Sequence, residues 1–528
     1  MNKLKLLILN RWSLIVIIII IASFLRLYNI TQLPPGLYPD EAMNGNNLLE
    51  ALSPNGHFKV FYPENNGREG LFMNIQALSV AAFSNEPWAL RLASAFFGIL
   101  TVLGVYFLTK ELFRNQENET PHNSLFTIHN SEVIALLSAF FLAVSFWHIN
   151  FSRIGFRAIM APFFAVWAFY FLLKALNSDK YKFASIIGGV FLGLGFHSYI
   201  AFRAMPALAI IIWIIYWIKN KDKAFRKKIA VSAILFVVAS LIMFAPLGWY
   251  FLKNPKDFMG RTTQVSIMSS GAPLKNLSLN VLKTAGMFFY NGDGNWRHNY
   301  AGRPELFWPV GILFAIGIVL EIYYLFKKSE NSPPIILFGW LAIAALPVVI
   351  SNEGIPHALR AIIMIPPVFI LAGIGGAWLW QKIKNQISKI KITPNSRAKL
   401  AMGQTNQNSK FLNFIIYIPL LIILSLFILE AYNTYFIKWG QNLNVQGAFA
   451  ADYVQIGREL NNLPKELPKY VIVEAGGTNV RGMPMPTQTV MFITDTFTPE
   501  KQRAKNLFYV LPNQINEIPK GAYTVELK

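Results

Sequence analysis

Two adjacent carboxylates, Asp40 and Glu41, follow the first long apolar run of a chain that contains many such runs. Charged side chains at a membrane surface are costly to desolvate, so a pair kept there usually serves a function. Such a carboxylate is suited to taking a proton from a hydroxyl or to holding a divalent cation beside an anionic, lipid-borne substrate. The alternative is the N-terminus of a surface helix, where Asp is a common cap.

A second polar motif, ENNGREGLF at 64–72, lies later in the same connection. Gly67 and Gly70 would let the backbone approach a ligand closely, and Arg68 between them is suited to clamping a phosphate. An ordinary turn with a solvated ion pair is the alternative. The motif therefore predicts an anion site in the same loop as the acidic pair.

Arginines also occur in short connections on the side of the membrane where the positive-inside tendency disfavours them. They are Arg153, Arg157, Arg203 and Arg360, and His357 lies just before the last of these. A shared anionic ligand at that membrane level, most naturally a lipid phosphate, explains the whole set. Snorkelling to headgroups is the alternative for any single one.

The segment NGDGNWRHNY at 291–300 mixes polar, aromatic and flexible residues. Such a mixture suits a sugar site, where rings stack on tryptophan and sugar hydroxyls bond to polar side chains. Its candidate binding residues are Asp293, Trp296, Arg297 and His298. A structured loop cap without a ligand is the alternative.

The composition indicates which elements must position these residues. The chain has 528 residues, of which 54% are hydrophobic and only 14% charged, whereas soluble domains carry about 25% charged residues. The mean hydropathy is +0.39, and we interpret the chain as a polytopic membrane protein. The net charge of +21 does not indicate nucleic-acid binding, because most Lys and Arg lie in loops between apolar runs. The absence of cysteine excludes disulfides, thiolate zinc sites and thiol catalysis.

About eleven segments are long and apolar enough to cross a membrane as helices. The first follows Lys3, Lys5 and Arg11, lacks a convincing cleavage site and is interpreted as an uncleaved helix. A shorter apolar segment, 74–83, is expected to lie along the membrane surface. The predicted spans are 10–28, 88–108, 133–150, 158–175, 183–199, 204–218, 229–251, 306–326, 335–350, 361–380 and 412–431.

Charge then predicts the orientation. Alternate connections are basic, most strongly at 219–228, and these are expected on the cytoplasmic side of the plasma membrane. The loops 31–87 and 253–305 and the tail then lie on the opposite, non-cytoplasmic face, where we expect the active site.

The predicted domains are a transmembrane unit at 1–438 and a small α/β domain at 439–528. Within the tail, residues 453–460 are typical of a helix. Residues 470–474, 489–494 and 508–511 alternate like short strands.

Several familiar motifs are absent: the Walker loop, the dinucleotide fingerprint, the Gly-x-Ser-x-Gly elbow and the His-Glu-x-x-His pair. Their absence disfavours ATP-driven transport and the common hydrolases, and no nucleotide cofactor is expected.

Taken together, these residues resemble the GT-C superfamily of membrane glycosyltransferases. The nearest branch is that of the protein O-mannosyltransferases, aminoarabinose transferases and RgtA/B/C/D-like proteins. Asp40-Glu41 matches the family's acidic pair in the first outer loop, and Arg68 looks like a basic residue that the family places before Pro-Pro, here replaced by Glu69-Gly70. The likeness extends over about the first 380 residues, through 88–94, 152–157 and 357–360.

The resemblance implies a polyprenyl-phosphate-linked sugar donor and an inverting transfer to a glycan, lipid or protein acceptor. Asp40 would be the base or principal acidic residue, with Glu41 assisting it, and both are the candidate ligands if a divalent metal ion takes part. Arg68 and the outer arginines would hold the donor phosphate. A membrane transporter or lipid flippase of cell-envelope precursors is the main alternative, and a non-catalytic assembly protein is another.

Overall fold

The computed structural model describes residues 11–114, 131–258, 273–327, 332–351, 354–390 and 405–528. Lys3, Lys5 and parts of the predicted loop at 253–305 lie outside the described residues. The α-helices of the described ranges are α1 (Arg11–Leu27), α2 (Pro39–Ala51), α3 (Leu71–Phe83), α4 (Pro87–Leu112), α5 (Ser131–Ala143), α6 (Phe146–Phe151), α7 (Met160–Asn177), α8 (Tyr181–Gly195), α9 (Pro206–Lys219), α10 (Lys223–Lys253), α11 (Pro273–Gly286), α12 (Trp308–Phe326), α13 (Ser332–Val349), α14 (Ile365–Ile390), α15 (Thr405–Tyr432), α16 (Leu443–Ala448), α17 (Ala451–Asn462), α18 (Thr487–Thr494) and α19 (Pro499–Lys505).

A helix is found at every one of the eleven predicted spans. Eight helical segments of the described residues are long and apolar enough to cross a membrane. They are Pro87–Leu112, Arg157–Asn177, Ile200–Lys219, Lys223–Lys253, Trp308–Phe326, Ser332–Val349, Ile362–Gln386 and Ile418–Trp439. The other three predicted spans correspond to the shorter helices α1, α5 and α8, of 17, 13 and 15 residues. The prediction of a mainly helical, polytopic membrane protein is therefore confirmed.

The basic connections that follow α7 and α9 meet at one end of the helical bundle. The side-chain amide of Asn177 donates to Glu111 at 3.0 Å, and the backbone carbonyl oxygen of Asn177 accepts from Arg114 at 3.3 Å. The ammonium of Lys228 donates to the carbonyl oxygen of Leu176 at 3.0 Å. Glu111 lies at this end of α4, and Arg91 lies at its other end. The loops that hold the candidate residues gather at the Arg91 end.

The membrane helices pack closely where small residues face a backbone. A methyl group on Gly317 of α12 would overlap the carbonyl oxygen of Leu371 in α14. One on Gly375 of α14 would overlap the carbonyl oxygen of Leu313 in the same way. Small residues allow this approach where hydrocarbon cannot drive helices together by the hydrophobic effect.

The strands belong to the loops and the tail. They are β1 (Phe61–Tyr62), β2 (Arg68–Glu69), β3 (Lys469–Val473), β4 (Asn479–Val480), β5 (Met483–Pro484), β6 (Leu507–Val510) and β7 (Tyr523–Leu527). Strands β1 and β2 form a short antiparallel hairpin, as do β4 and β5. A three-stranded parallel sheet has the order β6-β3-β7.

Of the four elements predicted in the tail, three are found and one is wrong, and the tail also contains α16, α19, β4, β5 and β7, which were not predicted. The helix predicted at 453–460 and the strands predicted at 470–474 and 508–511 are present, but 489–494 forms helix α18 rather than a strand. All eight residues of α18 are buried, because the helix packs between α2 and α17. A segment enclosed on every side shows no polar face, so its periodicity cannot distinguish helix from strand.

Candidate active site

Helix α2 presents a row of polar side chains to the loop that follows it. The helix begins at Pro39, whose fixed backbone angle suits the first helical position. Asp40, Asn44 and Asn47 are spaced i, i+4 and i+7, which places them on one face. Asp40 is in the first turn, where the helix dipole favours a negative charge. This spacing is the sequence signal for Asn44 and Asn47, which the motif analysis missed.

The other carboxylate of the pair, Glu41, points away from that face and is fully buried. Its Oε2 accepts hydrogen bonds from Arg91 Nε at 3.0 Å and from the backbone amide of Gly155 at 2.6 Å. Its Oε1 accepts from Arg91 Nη2 at 3.2 Å and from the backbone amide of Tyr38 at 3.4 Å. Both oxygens are therefore occupied by protein donors, and Glu41 anchors the start of α2.

Arg91 in turn fixes the segment that leads into α2. Its remaining donors bind the carbonyl oxygens of Pro34 and Gly36 at 2.6 and 2.9 Å. The guanidinium is only 2% exposed, so the whole unit is a buried ion pair with its hydrogen bonds satisfied. Glu41 and Arg91 therefore fix the first turn of α2, in which Asp40 lies.

The turn at 64–67 lies along the polar face of α2 and is held in an uncommon conformation. Asn65, Asn66 and Gly67 all have positive φ angles, of 52°, 62° and 77°. Non-glycine residues rarely adopt this region, and runs of them persist only where neighbours hold them. The side-chain amide of Asn65 donates to Asp40 Oδ1 at 2.8 Å. The turn thereby orients the candidate base.

Arg68 follows the turn and lies buried against the middle of α2. Its Nη1 and Nη2 donate to the side-chain oxygens of Asn44 and Asn47 at 2.6 and 2.5 Å, and its Nε donates to the carbonyl oxygen of Glu64 at 3.3 Å. All three acceptors are neutral. Among the described residues no carboxylate lies within ion-pair distance of this guanidinium, so its charge remains available to an anion.

The electrostatics of Arg68 agree with this geometry. Burial lowers the pKa of Arg68 to about 10, and the neighbouring charge of Arg157 contributes in the same direction. Asp40 and Glu64 oppose the shift. The guanidinium stays protonated at neutral pH, but in a setting that would be stabilised by an incoming negative charge.

Two of the predicted outer arginines meet at Glu69, the residue next to Arg68. Arg157 Nε lies 2.8 Å from Glu69 Oε2, and Arg203 Nη2 lies 3.9 Å from Oε1. The Arg203 guanidinium also stacks on the ring of Phe258 at 4.3 Å. The structure therefore brings Arg68, Arg157 and Arg203 into one region.

Arg153 is placed elsewhere. It is fully buried, donates to the carbonyl oxygens of Leu25 and Leu33 at 3.2 and 2.9 Å, and lies 5.0 Å from the ring of Phe436. These contacts join the end of α1 to the segment that follows α15. The predicted role of Arg153 in binding an anion stays a prediction.

The segment 291–300 folds around Asp293. The Oδ2 atom of Asp293 lies 3.1 Å from His298 Nδ1 and 3.7 Å from His357 Nδ1, and it accepts from the backbone amide of Ala358 at 2.9 Å. Its Oδ1 accepts from the backbone amide of Asn295 at 2.8 Å. The two imidazole rings stack with centroids 4.9 Å apart. Asp293, His298 and His357 could together hold a metal ion.

Burial and neighbouring charges determine the protonation states of Asp293 and His357. Burial acts to raise the pKa of Asp293, but the hydrogen bond and charge of His298 hold it below its ordinary value. Burial lowers the pKa of His357 to about 3, with His298 as the next cause. The cluster therefore pairs an ionised carboxylate with a neutral His357 at neutral pH.

The two loops meet through Tyr38 and Arg297. The guanidinium carbon of Arg297 lies 3.9 Å from the centre of the Tyr38 ring, two residues before Asp40. Burial and the charge of Asp40 raise the pKa of Tyr38, and Arg297 opposes them. Arg360, which bonds to Ser351 Oγ, is close enough to influence the charge of His357. The site thus combines one oriented carboxylate with several cations.

Trp296 is half-buried at the edge of this region. Its carbonyl oxygen accepts from Trp439 Nε1 at 3.0 Å, and its ring lies 5.2 Å from that of Tyr300. The predicted stacking of a sugar on Trp296 stays a prediction.

The sequence matches no family model. No curated protein is similar to it in sequence. Solved structures do match. ArnT from Cupriavidus metallidurans bound to undecaprenyl phosphate is 14% identical with a TM-score of 0.55, covering 97% of this chain and 92% of ArnT.

The Archaeoglobus fulgidus oligosaccharyltransferase in the apo form is 14% identical with a TM-score of 0.52, covering 96% of this chain. The same enzyme with an inhibitory peptide and a dolichol-phosphate is 15% identical with a TM-score of 0.50, covering 92% of this chain. This chain spans about two thirds of the length of those archaeal proteins, 66% and 63%. At these identities the likeness concerns the fold, and it confirms the predicted GT-C fold.

Proposed function

We propose that this chain, which has the fold of the GT-C membrane glycosyltransferases, transfers a sugar from a polyprenyl-phosphate-linked donor to an acceptor hydroxyl. The observation that carries the proposal is that Asp40 and the side chain of Arg68 both lie along one face of α2, Asp40 held by Asn65 and Arg68 by Asn44 and Asn47. A carboxylate oriented by Asn65 is suited to removing a proton. A buried guanidinium bound only by neutral oxygens is suited to holding a phosphate.

The reaction then needs no nucleotide sugar. Asp40 takes the proton of the acceptor hydroxyl, whose oxygen forms a bond to the anomeric carbon of the donor. The bond from that carbon to the phosphate oxygen breaks, and the polyprenyl phosphate leaves with the electron pair. Phosphate is a good leaving group, so cations that stabilise its charge are more useful there than a general acid.

The anion would be held by the cations gathered at this end of the bundle. We propose that Arg68 binds it directly and that Arg157, Arg203, Arg297 and Arg360 provide the surrounding positive field. The proposal is supported by the lipid phosphates in the two solved neighbours, undecaprenyl phosphate in one and dolichol-phosphate in the other. The site would lie on the non-cytoplasmic face of the plasma membrane, because the opposite end of the bundle carries the basic connections.

The test is sugar transfer by the purified protein from a panel of polyprenyl-phosphate sugars to glycan, lipid and peptide acceptors. Turnover with release of polyprenyl phosphate and inversion at the anomeric carbon is expected for at least one pair. Binding of the lipid without turnover, combined with its movement across vesicles, would support the transporter instead.

Replacing Arg68 by Lys is expected to weaken the binding of the donor lipid about ten- to a hundredfold, the usual loss for one or two charge-assisted hydrogen bonds. Lysine keeps the charge but cannot span Asn44 and Asn47 while also reaching a phosphate. Binding is measured with polyprenyl phosphate in detergent, independently of turnover. Arg458→Lys is the control, because Arg458 is exposed and lies 3.3 Å from Glu86 away from this face. Equal affinities in the two variants would contradict the role of Arg68.

A divalent metal ion, where one takes part, would be held by Asp293, His298 and His357 rather than by the acidic pair. Glu41 has no free oxygen, whereas Asp293 Oδ2 lies 3.1 and 3.7 Å from the two Nδ1 atoms. Ligands of a tetrahedral zinc ion at about 2.0–2.1 Å from the metal lie about 3.3 Å apart, so this donor set fits. The ion would supply positive charge close to Arg297 and Arg360.

We expect purified protein loaded with zinc and then desalted to retain about one equivalent, measured by elemental analysis, and to lose thermal stability when a chelator is added. His298→Ala and His357→Ala should both abolish the retained metal. His197→Ala is the matched control, because His197 is also buried and its imidazole bonds to the carbonyl oxygen of Met243, away from Asp293. Wild-type protein that retains no zinc would exclude this site.

A further inference from the structure

The tail reaches the candidate active site through a tight hairpin. Strands β4 and β5 pair with Val480 opposite Met483, so that Arg481 and Gly482 form a two-residue turn. Both residues have positive φ angles, 51° and 89°, as the favoured hairpin turn requires. Asn or Gly usually occupies the first of these positions, because a Cβ atom is disfavoured there. An arginine in such a place suggests that its side chain is used.

The Arg481 side chain joins three parts of the molecule. Its two terminal nitrogens bind the carboxylate of Glu50, at the end of α2, at 3.0 and 2.8 Å. One of them also donates to Glu64 Oε1 at 2.9 Å, and the guanidinium stacks on the ring of Phe497 at 4.4 Å. Arg481 thus ties the tail both to α2 and to the turn that follows it.

The Glu64 contact matters because Glu64 begins the turn that holds the active-site groups. Its neighbour Asn65 donates to Asp40, and its own carbonyl oxygen accepts from Arg68. The three residues after Glu64 all have positive φ angles, so the turn depends on outside contacts for its shape. Among the ion pairs of the described residues, Arg481 makes the one that reaches Glu64.

We propose that Arg481 is a positioning residue, through which the C-terminal hairpin sets the turn at 64–67 and thereby the relative positions of Asp40 and Arg68. This inference rests on the proposed transferase function and assigns the tail a part in it. Under this proposal the tail forms part of the active site and is not a separate binding module. Loss of the guanidinium frees the turn, and a displacement of about 1 Å at a reacting group can cost a hundredfold in rate.

Arg481→Gly is the decisive variant, because glycine accepts the positive φ angle and leaves the hairpin intact. We expect kcat to fall about ten- to a hundredfold while folding and KM for the donor change little. Hydrogen exchange of residues 63–68 should become faster in this variant. Arg481→Lys should recover part of kcat through the Glu64 contact.

Arg458→Ala is the matched control. Arg458 also joins the tail to the first outer loop, through Glu86 at 3.3 Å, but it does not touch the turn. Its kcat and the exchange of residues 63–68 should equal those of the wild type. Unchanged kcat and exchange in Arg481→Gly would overturn the inference. If the wild type transfers no sugar, the proposed function fails, whereas the exchange measurement still decides whether Arg481 holds the turn.

Discussion

Replacing Asp40 by Asn should reduce sugar transfer about 10²- to 10⁴-fold, the range that a general base contributes. The amide has nearly the same shape and can still meet Asn65, but it cannot accept the proton of the acceptor hydroxyl. Donor binding should be almost unaffected, since Arg68 keeps its partners on α2. The loss should therefore appear in kcat rather than in the KM for the donor.

The measurement is steady-state transfer with the active donor, together with donor binding and thermal unfolding of each variant. Asp452→Asn is a suitable control, because Asp452 is likewise an acidic residue in the first turn of a helix but is exposed in the tail. Asp40→Asn with wild-type turnover would remove Asp40 from the chemistry. An equal loss of turnover in both variants would indicate that removing a charge from a helix N-terminus causes the loss, rather than removing the base.

The largest effect on stability is expected from the buried pair Glu41 and Arg91. Replacing Glu41 by Gln or Arg91 by Leu leaves an uncompensated group in an enclosed site, which costs about 3–5 kcal/mol in comparable cases. Glu41→Gln also weakens the acceptor for the Gly155 amide. The expected outcome is a lower unfolding temperature and poor yield in detergent for both single variants.

Thermal unfolding in one detergent measures this, with Glu86→Gln as the comparison, because Glu86 pairs with Arg458 at the surface and such pairs contribute about 0–1 kcal/mol. The same experiment separates two roles for Glu41. A Glu41→Gln protein that is fully stable yet inactive would show that Glu41 takes part in the chemistry or binds a cation. A destabilised protein would confirm that it anchors α2.

The helices were predictable because a membrane leaves the backbone few choices. Every amide must be satisfied within the segment, so a long apolar run dictates a helix with little help from its surroundings. Runs such as Pro87–Leu112 were placed correctly for this reason. The shorter helix α5 ends earlier than its apolar run, since the chain restarts at Ser145, whose hydroxyl caps α6.

The motif could not predict that the side chains of Asp40 and Glu41 have different surroundings. Adjacent residues on a helix point about 100° apart, so one of the pair faces the loop and the other faces the protein. Which of them is buried depends on Arg91, fifty residues later. The motif indicated that the pair was important but not that its members have different surroundings.

The outer arginines show a similar limit. Their predicted position on the non-cytoplasmic side led us to expect a shared environment, and Arg157 and Arg203 do share Glu69. Arg153 instead meets carbonyl oxygens at the end of α1 and after it, which a sequence cannot reveal because those partners are more than a hundred residues away. The contact of Asp293 with Ala358 spans 65 residues and was hidden for the same reason.

The burial of α18 against α2 has a consequence for the order in which the protein is made. Asn46 of α2 bonds to Gln488 of α18 across 442 residues of sequence, and Phe492 packs directly on Gly45. The ribosome synthesises α2 early, but its partner α18 is made only after the membrane helices. A chain interrupted between them would lack the contacts of Gln488 and Phe492 with α2. We therefore expect α2 to reach its final packing only after residues 487–494 have been synthesised.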